Sequence, residues 1–203
     1  MIITSCHKNF QSDKFITYAI SGNRGKDAKY IGKCFPQLAP KLAFWKIWHN
    51  NIGIIPEEEN NRYYIEQYYK EVLSILNPEE IYKKLDNSAL LCYENNNEFC
   101  HRHIVAAWFE LLLDIEVPEV KANNYSIEYI NRPTYIKEEL EKIIKKEKNI
   151  KQFNSLHAFY LFEKSETLKQ KNPNKYYNDD ILRCEAEQIE QNYKLKRKTI
   201  TKK

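Results

Sequence analysis

A chain of 203 residues with 42% hydrophobic and 30% charged side chains can form one domain with a full core, or a core of about 120 residues with an appendage, and it is not built for wholesale disorder. No run approaches the roughly 18 apolar residues of a membrane helix, and the N-terminus lacks the basic start and apolar centre of a signal peptide, so a cytoplasmic protein with no membrane partner is expected. The formal net charge is +4, divided as −2 over residues 1–136 and +6 over residues 137–203.

The basic C-terminal third suits nucleic-acid contact, but its interleaved acidic residues are equally those of solvated helices, and both readings stand. Cysteines occur at Cys6, Cys34, Cys92, Cys100 and Cys184. An odd number at irregular spacings, without an export signal, points to reduced thiols rather than a disulfide framework.

In chain order, Ile2, Ile3 and Thr4 open a strand, and Phe15 to Ser21 reads as a second that Gly22 and Gly25 stop. The polar loop from Gly22 to Lys29 lacks the ordered glycines of a dinucleotide or P-loop fingerprint. Pro40 to Trp48 predicts a short helix, and Asn50 to Asn61 a polar connector. Ile65, Tyr68, Tyr69, Val72, Leu73 and Leu76 form the apolar stripe of an amphipathic helix. The Tyr63, Tyr64, Tyr68 and Tyr69 cluster on it suits core packing better than base stacking.

Asn77, Pro78 and Glu80 supply a cap, a first-turn proline and a capping-box carboxylate for another helix, running to about Leu85. Ser88 to Glu94 reads as a buried strand. From Cys100 on, the stripe Ile104, Val105, Trp108, Leu111 and Leu112 predicts a helix ending near Asp114, with Ile115 and Val117 as a last short strand before Pro118. Helical patterns follow around Ile136 to Lys146, Leu156 to Lys169 and Asp180 to Tyr193, then a tail, Lys194 to Lys203, expected to fray. The expected organisation is an α/β core over residues 1–120, a small Rossmann-like sheet with flanking helices, and a basic, mostly helical extension over residues 121–203.

The segment from Leu90 to His103 carries the most chemistry. Open α/β sheets bind ligands at the carboxyl ends of strands, where the next helix starts. By the strand period Cys92 and Glu94 share a face and Tyr93 points away, while His101 and Arg102 enter the first turn of a helix. A cation there opposes the helix dipole unless an anion faces it. Arg102 is therefore expected to meet Glu94, Glu98 or an external anion such as phosphate, and an internal Glu94 pair and an external anion can coexist. Cys92, near that helix start, is a candidate nucleophile or simply a buried small hydrophobe. Cys92, Cys100, His101 and His103 raise the question of zinc, with Cys6 and His7 on another strand. No Cys-x-x-Cys pair occurs, and adjacent Cys100 and His101 should diverge on a helix, so no metal and no cofactor are expected. His49, His157, Cys34 and Cys184 carry no partner pattern.

The string Leu91-Cys92-Tyr93-Glu94, a short polar loop, and Phe99-Cys100-His101-Arg102-His103 with Ala-Ala-Trp after it resembles the domain-of-unknown-function family four-eight-eight. Leu38-Ala39-Pro40, the Trp45 region, the Tyr-rich helix and Asn77-Pro78-Glu79-Glu80 also look like that family, over about residues 1–119. The resemblance implies a compact Rossmann-like domain with Cys92, Glu94, Cys100, His101 and Arg102 as signature positions, and implies no settled activity. The leading expectation is an enzyme acting on a nucleotide, nucleoside or nucleic acid, with Cys92, Glu94 and His101 catalytic and Cys100, Arg102 and His103 holding a phosphate-bearing partner. A non-catalytic module that sequesters such an anion, and an interaction protein in which the signature is a structural brace, are the rivals.

Overall fold

The computed structural model describes residues 1–152. At its centre β1 (Ile2–Cys6) and β4 (Ser88–Cys92) pair in parallel, each buried along its whole length. Strands covered on both faces show no polar alternation, hence the unbroken apolar and small residues of Ser-Ala-Leu-Leu-Cys. β2 (Ile16–Ala19) flanks β4, and the two-residue β3 (Lys33–Cys34) lies outside it. On the opposite side β5 (Glu119–Ala122) joins β1, and β6 (Ile127–Ile130) pairs antiparallel with β5. The resulting order is β3-β2-β4-β1-β5-β6, an α/β architecture with a mostly parallel six-stranded sheet.

The helices are α1 (Leu42–Asn50), α2 (Glu57–Tyr68), α3 (Pro78–Lys84), α4 (His101–Leu113) and α5 (Tyr135–Gln152). Asn77 caps α3 as expected, its Oδ1 accepting from Glu80 N at 3.2 Å, with Pro78 in the first turn. The polar stretch expected to be a connector instead contains the start of α2. Three glutamates, Glu57 to Glu59, sit in its first turn, where the helix dipole favours negative charge. Asn60 and Asn61 are buried there, bonding the backbone carbonyl and the indole Nε1 of Trp48 at 2.9 and 3.0 Å. The tyrosine stripe is as predicted, although α2 gives way at Tyr69–Leu73 to a π-helical turn. Tyr64, Tyr68 and Tyr69 are buried.

α4 exceeds its predicted stripe. Every residue from His101 to Phe109 is buried, because the helix lies between the sheet and α2 and α3, while Leu111 and Leu112 are only half-buried. Ile115 and Val117 form no strand. The ladder starts one residue after Pro118, at the Thr4 to Glu119 register, since proline has no N–H to donate. The sheet thus runs past residue 120 into a hairpin whose turn is held by Asn123 Oδ1, which accepts from Tyr125 N and Ser126 N at 2.8 Å each.

The chain divides into two compact units, Met1–Ile143 and Ile144–Lys203, and the sheet, α1 to α4 and the site belong to the first. The helical patterns at 156–169 and 180–193 and the tail from 194 lie outside the described residues. Among the described residues no helix is long and apolar enough to cross a membrane, and Cys6, Cys34, Cys92 and Cys100 are free.

Candidate functional site

The chain leaves β4 at Cys92, loops through Tyr93 to Phe99 and enters α4 at His101. Alongside, β2 ends in the loop from Ser21 to Asp27. Between these two carboxyl ends, with α1 and α2 as the far wall, lies a cavity of about 520 Å³. The Ser21 loop is pinned to the Tyr93 loop: the Tyr93 hydroxyl donates to Asn23 Oδ1 at 2.5 Å and accepts from Asp27 N at 3.2 Å. Gly25 turns this loop with a φ of 77°, and its N–H reaches Ser21 Oγ at 3.0 Å. A side chain there would be strained by that φ, and its Cβ would fall 2.7 Å from Tyr30 Cβ.

The floor of the cavity is a cluster of two thiols, an imidazole and a carboxylate. Cys92 Sγ lies 3.6 Å from His101 Nδ1, and Cys100 Sγ lies 3.9 Å from the same nitrogen. Cys100 Sγ lies in hydrogen-bond contact with Glu94 Oε2 at 2.8 Å. His101 Nε2 is 3.0 Å from the Ile20 carbonyl, which can only accept, so Nε2 carries a proton and Nδ1 faces the sulfurs. Cys100 and His101, expected to diverge, converge instead. Cys100 precedes the helix with extended backbone (φ −154°, ψ 146°), so the helical rotation between neighbours does not separate them.

Burial dominates the electrostatics. It pushes the Cys92 thiol well up, reinforced by the hydrogen bond with Cys100, so Cys92 stays protonated at neutral pH. Burial also opposes charge on Cys100, but the Cys92 hydrogen bond and the positive Arg102 and His101 outweigh it and hold that thiol well below its ordinary value. Burial and the neighbouring Cys100 lift Glu94 to about 7. His101 is lowered by burial and raised more strongly by Cys100 and Glu94, ending above its usual value.

Arg102 and His103 turn the other way. Neither lines the cavity, and both are fully buried. Arg102 Nε lies 3.1 Å from Glu119 Oε1, and its Nη2 donates to the Asn95 carbonyl at 2.7 Å. His103 Nε2 is 3.4 Å from Glu119 Oε2. Asn96 Nδ2 also donates to Glu119, at 2.6 Å, and to the Val120 carbonyl at 2.9 Å. The carboxylate paired with Arg102 is therefore neither Glu94 nor Glu98, but Glu119 at the start of β5. Burial works against that carboxylate, yet the contact with His103 and the charge of Arg102 hold it below the usual range.

The cavity walls are aromatic, and sequence reasoning did not assign them to the site. Trp48 packs 5.7 Å from Phe99 and 5.2 Å from Tyr64, ring centre to ring centre, and Tyr64 packs 5.4 Å from Phe99. Trp45 also lines the space and stacks at 4.8 Å on His49, which is exposed. Two tryptophans three apart on a short helix ahead of the signature were the available signal. Glu119 had one too, since two cationic candidates in one buried turn require a buried acid. Of the expected site residues, the fold gathers Cys92, Glu94, Cys100 and His101 at the cavity, and withdraws Arg102 and His103 behind it. Cys6, at 3.5 Å from Asn96 Oδ1, belongs to the rear network, and Cys34 lies apart at the Arg24 carbonyl.

Residues 14–112 match the family model DUF488-N3a, described as the active DUF488-N3 subclade. Neither the curated proteins nor the solved structures provide a match to the chain.

Proposed function

We propose, from the match of residues 14–112 to the DUF488-N3a family model and from the cavity geometry, that this protein is an enzyme acting on a nucleoside, free or as part of a nucleotide or nucleic acid, in the cavity between β2 and β4. One observation carries the reading: a half-buried carboxylate, Glu94, opens onto a space of about 520 Å³ whose walls are Trp45, Trp48, Tyr64 and Phe99. That volume is of the size that takes a small ligand, and aromatic walls bind a flat ring by stacking, worth about 1 to 3 kcal/mol per base. Among the residues lining the cavity none is Lys or Arg, whereas Asp27 and Glu94 are acidic. The cavity is thus suited to a ring and sugar, and a phosphate would have to extend out of it. Glu94 would act on the sugar or base as acid, base or charge stabiliser.

Trp45 and Trp48 report on binding directly. Titrating adenosine, guanosine, cytidine and uridine into the full-length protein should quench tryptophan fluorescence, and Trp48→Phe should remove most of the change. Glu94→Gln should keep the quenching while chromatographic conversion of the bound nucleoside falls by about a hundredfold or more. Binding without conversion by the unaltered protein would instead leave a sequestering module. If no nucleoside or nucleotide quenches, the reading is wrong.

A further inference from the structure

We propose that Cys92, Cys100 and His101 form a binding site for a thiophilic divalent metal ion, zinc by its donor set, with one coordination position open to the cavity beside Glu94. The two Sγ atoms and the imidazole nitrogen all lie within 4.8 Å of one another. A tetrahedral zinc ion with bonds of about 2.3 Å to sulfur and about 2.0 Å to nitrogen sets its ligands about 3.8 Å apart for two sulfurs and about 3.5 Å apart for sulfur and nitrogen. The observed 3.6 and 3.9 Å between His101 Nδ1 and the two sulfurs lie within a few tenths of an ångström of that edge length.

The imidazole is also oriented as a ligand. A metal-binding histidine usually donates its other ring N–H to a carbonyl or carboxylate, which fixes the tautomer and turns the free lone pair inward. His101 has this arrangement, with Nε2 3.0 Å from the Ile20 carbonyl and Nδ1 toward the thiols. All three donors are buried, and the side not walled by protein is the cavity. Two cysteines and one histidine with an open fourth position is the donor pattern of a catalytic rather than a structural zinc site. Glu94, 2.8 Å from Cys100 Sγ, stands where it would reach the ion or a water on it. The paired-cysteine spacing of zinc ribbons is missing because one sulfur comes from a strand end and the other from the residue before a helix, and only the turn between them brings the donors together.

Cobalt(II) serves as the probe, since sulfur-to-cobalt charge transfer and tetrahedral visible bands identify both donor and geometry. Titrated anaerobically into the reduced full-length protein, it should saturate at about one ion per chain with both features, and zinc should bleach them. Cys92→Ser and Cys100→Ser should each remove about half of the charge-transfer intensity, while Cys34→Ser, outside the cluster, should change nothing. A second measurement needs no variant: zinc should protect Cys92 and Cys100 of the unaltered protein from alkylation, as mapped by peptide mass. Absence of charge transfer, its persistence in the Cys92→Ser/Cys100→Ser double variant, or protection of other cysteines would overturn the proposal. No nucleoside is present in these measurements, so their failure is separate from failure of the quenching experiment.

Discussion

The first turn of α4 has an open side and a sealed side. Cys100 and His101 face a cavity, in a cluster whose one carboxylate, Glu94, is half-buried. Arg102 and His103, the next two residues, face a buried acid that nothing outside can replace. Both sides bring polar groups to a helix N-terminus, where exposed N–H groups and the dipole favour negative charge. The sealed side meets that demand with Glu119, from a strand that follows in sequence, and becomes a brace. The open side meets it with thiols and a shared carboxylate, which leaves ionisable groups accessible to a ligand. A signature of consecutive residues can therefore hold two functions, and the neighbouring strands decide which residue serves which.

The largest effect should come from breaking the brace. Arg102→Ala leaves Glu119 buried without its cation and should cost about 3 to 5 kcal/mol, read as a lowered denaturation midpoint. Nucleoside quenching of the folded fraction should not change, because Arg102 does not line the cavity. A combined Arg102→Met/Glu119→Leu variant should be less destabilised than either single change, since no lone charge remains. Weakened quenching with unchanged stability would reverse the assignment of the two sides.

Trp108→Ala, deeper in the same buried helix, should cost a similar amount, about 3 to 5 kcal/mol, through the cavity it leaves. An unchanged midpoint would contradict the packing of α4 between sheet and helices.

The acid limb of stability sharpens the comparison. The carboxyl of Glu119 is held below its usual value in the folded protein. Its contribution is therefore complete above the unfolded-state value of a glutamate and is lost as pH falls through the lower folded value. Thermal midpoints measured down the acid range should fall less steeply in Glu119→Gln, from a lower starting point. A parallel fall in both proteins would show that other carboxylates dominate.

Smaller changes separate the two loops. Asn96→Ala should cost about 1 to 3 kcal/mol by leaving Glu119 and the Val120 carbonyl short of a buried donor. Tyr93→Phe, at the cavity mouth, removes a hydroxyl shared by Asn23 and Asp27 and should cost only about 0.5 to 1.5 kcal/mol. Its signature is instead a change in nucleoside affinity, which Asn96→Ala should lack.

The elements that sequence periodicity named were those with a one-dimensional signal. The unbroken run from Ser88 to Leu91 identifies a central parallel strand, Asn77-Pro78 a helix start, and Ile104, Val105 and Trp108 a buried helix, because propensity, capping and alternation act within a few residues. β3 has two residues and β6 alternates weakly at the sheet edge, so neither carries a readable period. α2 hid its first turn in glutamates and asparagines, which look like a loop until Trp48 is seen bonding them.

The sequence by itself placed Cys92 and Glu94 at a strand end and His101 and Arg102 at a helix start one short loop away, but it set Cys100 and His101 apart, and only the extended backbone of Cys100 brings them together. Tertiary structure decided what each residue faces. Arg102 pairs with an acid 17 positions away, and Trp45, Trp48 and Tyr64 of the ring wall come from two helices upstream of the signature. Contacts of that range depend on strand order and helix packing, which local pattern does not encode, and they divide one signature into an accessible cluster and a buried brace.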